Sequence, residues 1–232
     1  MSGNARLLDA LSGREKIAVL APHPDDETLA CGGLLARAFS AAGAHVVCVT
    51  DGSASHPGSQ DWPPARLAET RREELLSALN ILGGKTEDLT WLGLPDSRMH
   101  EVATSEVLAS LTDVIDGQGI RHIFVPARED KHCDHQTTAQ LADALRDTRP
   151  DLHFYSYPVW SRWDDPQFGQ NTAPYNPVLL DTSSFRDAKI NAIRAHRSQL
   201  GQVVQDDLEG FVLPEPMVEL FAQEDEIFWR MP

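Results

Sequence analysis

The chain has 232 residues, 41% of them hydrophobic and 24% charged, a composition that suits a globular domain with one substantial core. Its formal net charge of −15 argues against binding nucleic acid through bulk electrostatics. No run approaches the ~18–20 apolar residues of a membrane span, no signal peptide is visible at the start, and Cys31, Cys48 and Cys133 read as reduced thiols of a cytoplasmic protein.

In chain order, the apolar run Ile17-Ala18-Val19-Leu20-Ala21 predicts a buried strand over 16–21. It runs straight into Pro22-His23-Pro24-Asp25-Asp26-Glu27, and a helix is expected over 28–42. A strand at 44–50, an irregular stretch at 51–64, a helix at 65–82, a strand at 88–92 and a helix at 102–117 follow. The strand 121–126 leads by a short loop to His132-Cys133-Asp134-His135 and a helix over 134–147. Beyond it come a strand at 152–158, a second irregular stretch at 160–176, a strand at 177–181 and a helix at 184–200. From Asp206 to Glu226 there are eight acidic residues and no Lys or Arg, which reads as a solvated edge. Alternation of this kind predicts an α/β fold, with a mainly parallel sheet covered on both faces by helices. Such sheets bind ligands outside the carboxyl ends of their strands, where both polar clusters fall. No repeat or composition break divides the chain, so residues 1–232 are read as one domain.

Buried carboxylates cost several kcal/mol unless paired, protonated or metal-bound, so the turn at 22–27 needs a reason beyond stability. His23 and Asp26 are three residues apart, as are His132 and His135, and such pairs share one side of a helical turn. Zinc accepts imidazole nitrogen and carboxylate oxygen, and a catalytic zinc site takes three protein ligands with one position open for water. Two imidazoles and one carboxylate from this set meet that count, and ferrous iron suits the same donors. The alternative is a pair of helix caps, Asp25 or Asp26 before Leu29 and Asp134 before 135–147. Capping accounts for one carboxylate per helix, not for four ionisable residues in six.

Helical geometry places Arg71 and Glu74 within the face that carries Leu67, Ala78, Ile81 and Leu82. An inward arginine needs a partner: Glu74 at i+3 is the natural one for a purely structural ion pair, and the functional reading is an arginine presented to an acidic catalytic centre or a substrate oxygen. His135 shares its face with Ala139 and Ala142. His196 shares one with Phe185, Ala192, Ile193 and Leu200, which suits either a hydrogen-bonded core histidine or a catalytic one.

With these residues in view, the chain resembles the PIG-L/LmbE-like zinc-dependent de-N-acetylases. The resemblance is carried by Ala21 through Glu27, Gly32-Gly33 and the later His-x-Asp-His. Further matches are Arg71-Arg72-Glu73-Glu74, Leu82-Gly83, Gly93-Leu94-Pro95-Asp96 and Lys189 through His196-Arg197-Ser198-Gln199. It implies a Rossmann-like three-layer αβα sandwich that removes acetyl groups from N-acetylated amino sugars of the N-acetylglucosamine kind. It further implies metal ligation by His23, Asp26 and His135, with Asp25 as general base and His132 assisting at the oxyanion or leaving group. Arg71 and Asp96 fall near the metal and the substrate hydroxyls, and Asp134 is placed to orient a flanking histidine. Two departures stand out. Cys133 replaces the proline common in the second motif, which puts a thiol beside the metal. Asp130 stands where some members carry a tyrosine.

The expected activity is therefore a zinc- or ferrous-dependent hydrolysis of an N-acetyl amide in a small sugar or sugar conjugate. A protonated His132 would stabilise the oxyanion and feed the departing amine. Trp62, Trp160 and Trp163, in or beside the irregular stretches, are candidate sugar-stacking residues, with packing beneath loops as the other reading. The competing function is a non-catalytic metal- or sugar-binding protein of the same fold. A hydrolase of a different amide or ester also fits the same residues. Homo-oligomerisation is an open expectation.

Overall fold

The structure is a computed structural model that describes residues 3–102 and 104–232. Its elements are α1 (Gly3–Leu11), β1 (Ile17–Ala21), α2 (Asp26–Phe39), β2 (Ala44–Thr50), α3 (Pro64–Ile81), β3 (Leu89–Leu94), α4 (Thr104–Gly117) and β4 (His122–Pro126). There follow α5 (Cys133–Thr148), β5 (His153–Tyr157), α6 (Trp160–Asp164), α7 (Phe168–Thr172), β6 (Val178–Leu180), α8 (Arg186–Ala195), α9 (Glu215–Gln223) and β7 (Glu226–Arg230).

One sheet runs in the order β3-β2-β1-β4-β5-β7-β6. β1 to β5 pair in parallel, and β7 lies antiparallel between β5 and β6. The period of two along β1 divides the core. Ile17, Val19 and Ala21 pack into the layer of α1, α2, α3, α8 and α9, whereas Ala18 and Leu20 face α4 and α5. Every residue of β1, β2 and β4 is buried, as a parallel sheet covered on both faces requires. The expected three-layer αβα sandwich is the observed fold. From β1 the chain winds outward through β2 to β3, then returns to β4 on β1's other side. The crevice between β1 and β4 is thus the point where strand order reverses, the usual ligand position in such sheets.

Five elements escaped the sequence reading: α1, the short α6 and α7 within the stretch read as irregular, α9 and β7. The last begins inside the stretch read as a solvated acidic edge. Glu226 is instead fully buried, accepting the N–H groups of Gly33 (2.6 Å) and Leu34 (2.9 Å) and the Lys189 ammonium (2.8 Å). Gly33 lets Thr182 and Glu226 both pack against α2, because a Cβ there would stand 2.5 Å from Thr182 Cγ2 and 3.3 Å from Glu226 Oε1. Further along the same stretch, Asp206 and Asp207 accept backbone N–H groups of Gly58, Gln60 and Asp61. The helix expected over 184–200 stops at Ala195, with His196 as its C-cap, and a short 3₁₀ turn continues from Arg197. On α3 the buried face is Leu67, Arg71, Glu74, Leu75, Ala78 and Leu79, while Ile81 is 38% exposed.

Candidate active site

Five strand ends supply the site. The turn after β1 gives His23, Asp25 and Asp26, and the loop after β4 gives Asp130, His132 and His135. Segments after β2, β3 and β5 add Ala54 and Ser55, Asp96 and Ser97, and Trp160.

His23, Asp26 and His135 converge in the crevice. Asp26 Oδ2 lies 3.2 Å from His23 Nδ1 and 3.2 Å from His135 Nε2, and it also accepts the His23 N–H at 2.9 Å. Each imidazole is held from behind by another carboxylate. His135 donates Nδ1–H to Asp130 (2.9 Å), and His23 donates Nε2–H to Asp134 (3.1 Å), with Asp96 at 3.4 Å. Those bonds fix tautomers in which both rings turn a lone pair toward the Asp26 carboxylate. Three acceptors facing one another need two extra protons or one cation. His135 Nε2 is indeed a buried atom with no hydrogen-bond partner. The same demand appears in the protonation equilibria. Against the pull of burial, Asp26 and Asp130 raise His135 to about 9 and Asp134 and Asp26 raise His23, while His135 and His23 hold Asp26 well below the carboxylate range. The donor set fits a divalent ion such as zinc or ferrous iron. A second grouping, His23, His132 and Asp134, is less suited, because Asp134 already accepts the Ser97 N–H at 2.7 Å and His132 is only half-buried.

Asp25 stays outside that triad. It caps α2 without a side-chain hydrogen bond to the helix, so the capping alternative does not account for its carboxylate. Its φ of 152° lies where non-glycine residues carry strain of about 1–3 kcal/mol. Glu27 stabilises that bend by accepting the Asp25 N–H through Oε2 at 3.0 Å. The Asp25 carboxylate meets the Arg71 guanidinium at 3.2 Å. Burial drives the Asp25 carboxyl up to about 6, with Arg71 opposing. Arg71 also donates to Gly52 O (2.8 Å) and Pro24 O (3.0 Å). Gly52 is required there, with φ +64° and a notional Cβ 2.6 Å from the guanidinium.

Several expectations are corrected here. Arg71 pairs with Asp25, not with Glu74; Glu74 accepts the Ser198 N–H and hydroxyl at 2.8 and 2.6 Å, which keeps it clear of the cavity. His132, not Asp134, caps α5: its Nδ1 accepts the Asp134 N–H at 3.3 Å. That bond needs an unprotonated Nδ1, and burial together with His23 and His135 lowers the ring to about 4, so His132 is neutral rather than protonated. His196 is buried and pairs with Glu27. Its Nε2 stands 3.3 Å from Glu27 Oε1 without hydrogen-bond alignment, and Glu27 raises its pKa against the effect of burial. Of the three tryptophans, only Trp160 lines the cavity; Trp62 lies under the Arg66 guanidinium and Trp163 packs against the core. Cys133 is exposed at the start of α5.

Asp130 is the residue the sequence reading missed. It was noted only as a missing tyrosine, yet it is fully buried and accepts from Val159 N, Ser161 N and Ser161 Oγ as well as His135. Its signal was a carboxylate five residues before a candidate ligand. The cavity in front of these groups has a volume of about 330 Å³. Ala54, Ser55 and Pro57 of the irregular 51–64 stretch line it, and the 201–214 segment adds Glu209, Phe211 and Leu213.

A three-layer α/β domain with a buried imidazole–carboxylate cluster at its strand-order switch point belongs to the class of site-at-the-crevice α/β enzymes. Within that class, residues 18–146 match the PIG-L: GlcNAc-PI de-N-acetylase family, and the chain belongs to it. Among curated relatives, the uncharacterized deacetylase YaiS of Escherichia coli (strain K12) is 29% identical over 84% of this chain and 97% of its own. The probable N-acetyl-alpha-D-glucosaminyl L-malate deacetylase 2 of Bacillus subtilis (strain 168) is 27% identical over 93% of this chain and 97% of its own. The fold is similar to that of N,N'-diacetylchitobiose deacetylase from Pyrococcus horikoshii, with TM-score 0.68 and 22% identity over 94% of this chain and 84% of that one. It is equally similar to GalB, the 4-carboxy-2-hydroxymuconate hydratase of Pseudomonas putida KT2440, with TM-score 0.67 and 21% identity over 90% and 83%. The scaffold alone therefore does not fix the reaction. Among the described residues no helix is long and apolar enough to cross a membrane.

Proposed function

We propose that this protein is a metal-dependent, cytoplasmic deacetylase that hydrolyses the N-acetyl amide of an acetylated amino sugar or sugar conjugate, with residues 1–232 acting as one domain. The observation that carries the reading is the orphaned Nε2 of His135, aimed with His23 at the Asp26 carboxylate beside an Asp25 that no metal-binding geometry uses. His23, Asp26 and His135 would hold zinc or ferrous iron. Bound there, the ion supplies Lewis acidity toward the amide carbonyl and brings a water pKa toward about 7.

The chain's own groups do the rest. Asp25, with its carboxyl near 6, is a base at neutral pH and takes the proton of the attacking water. Arg71 fixes the orientation of that carboxylate, so its role is positioning rather than substrate contact. Neutral His132 keeps its proton on Nε2 and donates it as a hydrogen bond to the developing oxyanion. The proton gathered by Asp25 is then available to the departing amine. Asp96 faces the cavity with one oxygen 3.4 Å from His23 and accepts substrate hydroxyls. Family membership and the deacetylase relatives support the same reaction.

An acetate-release screen over N-acetyl sugars and conjugates tests this, with metal analysis of the same sample. Release that chelation abolishes and zinc restores supports the proposal. Stoichiometric sugar binding without acetate across the panel overturns it in favour of a binding protein.

A further inference from the structure

Which acetamido compounds this cavity accepts can be read from the charges and rings on its walls. Among the described residues, Arg71 is the one Lys or Arg that lines it, and its guanidinium is already engaged by Gly52 O, Pro24 O and Asp25. Two further cations flank lining residues. Arg98, next to Ser97, pairs with Glu101 at 3.6 Å, and Lys131, next to His132, pairs with Asp164 at 3.7 Å; neither reaches the cavity wall. Carboxylates are plentiful by contrast: Asp25, Asp26, Asp96 and Glu209 all line the cavity. Even a divalent ion on the triad, added to Arg71, leaves those four with a negative balance.

Part of the lining is apolar. Trp160 stacks beside His132 with ring centroids 6.3 Å apart and meets Phe211 at 5.6 Å. Leu213 and Met217 lie among the same lining residues. A face of two partly exposed rings, with carboxylates around it, accepts a flat apolar group and repels an anion.

Resting on the deacetylase reading above, we infer that the substrate is an uncharged N-acetylated amino sugar carrying an apolar or aromatic aglycone held against Trp160 and Phe211, and that conjugates bearing phosphate or carboxylate are rejected. The preference differs from that implied for the Bacillus subtilis relative, whose L-malate conjugate is an acid.

The test compares three probes: 4-nitrophenyl N-acetyl-β-glucosaminide, free N-acetylglucosamine and N-acetylglucosamine 1-phosphate. Kinetics use the zinc-loaded wild type, and calorimetric binding uses the metal-stripped wild type and the Asp25→Asn variant. The aryl glycoside is expected to exceed free N-acetylglucosamine by about 10-fold in both affinity and kcat/KM, and the phosphate to fall about 10- to 100-fold below it. Phe211→Ala should remove most of the aryl preference. Glu209→Lys should raise affinity for the phosphate several-fold. Equal or tighter binding of the phosphate, or no measurable binding of the aryl glycoside, overturns the inference. If none of the three releases acetate, the deacetylase reading is decided by the broad screen above, while the order of binding still decides the specificity.

Discussion

Two buried ionic clusters sit a short distance apart around α2 and differ in one respect. In the Glu226–Lys189 cluster both carboxylate oxygens have donors: Gly33 N and the Lys189 ammonium on one, Leu34 N on the other. In the His23–Asp26–His135 cluster, His135 Nε2 is left without a partner, and a strained Asp25 stands beside it. A satisfied cluster ties β7 and α8 to α2. The other presents a donor set that a divalent ion fits. The difference between structural and functional charge in this protein is thus one of completeness rather than of burial, since both clusters are almost wholly removed from water.

The strongest break of the comparison comes from the unsatisfied side. His135→Ala should abolish metal binding and reduce acetate release to background. The melting temperature of the metal-free protein should fall, because the buried carboxylates of Asp26 and Asp130 lose the imidazole they pair with. Metal content, activity and thermal melts on one preparation check all three. Next in size, Asp25→Asn should lower kcat by about 10²- to 10⁴-fold with metal content unchanged. Retained activity in that variant would remove Asp25 as the base.

The satisfied cluster should respond in stability alone. Glu226→Gln should cost about 3–5 kcal/mol by leaving the Lys189 ammonium buried and unpaired, without altering affinity for zinc. Combining it with Lys189→Met should recover much of the loss in denaturant unfolding. A smaller effect belongs to Asp130→Asn, which should weaken metal affinity about 10- to 100-fold by releasing the His135 ring.

The pH dependence separates the clusters most finely. His135 rises from 6.5 to about 9 in the metal-free protein, so its stabilisation is complete below pH 6.5 and is lost as pH climbs through 9. The metal-free melting temperature should therefore decline over that window. Saturating zinc, which takes the place of the protons, should flatten the decline, and zinc uptake near pH 7 should release protons measurable by calorimetry in two buffers. A metal-free protein whose stability rises from pH 6.5 to 9 would contradict the triad's protonation.

Much of this site was legible in the sequence because its residues are local. Turn 22–27 and segment 132–135 each follow a strand, and their spacing brings His23, Asp26 and His135 within range of one ion once β1 and β4 are neighbours. The five parallel strands were equally legible, since continuous apolar runs between amphipathic segments leave few other folds. What failed had a common cause. Arg71 was assigned the partner nearest in sequence, Glu74, although its guanidinium reaches Asp25 across the crevice. Glu226 looked solvated because its donors, Lys189 and the N–H groups of α2, are remote in sequence, whereas Asp206, Glu209, Glu215, Glu219 and Glu224 of the same stretch are exposed as expected.

By itself, then, the sequence determined which chemistry this protein can do, since imidazoles and carboxylates at fixed short spacing declare their donor atoms before any folding. Only the tertiary structure decided what each donor is for. Asp130 and Asp134 set the tautomers, Glu27 and Arg71 set Asp25, and Trp160 with Phe211 line the cavity. Those roles depend on contacts between residues up to a hundred or more positions apart, and no local pattern encodes a partner that the fold alone brings within about 3 Å.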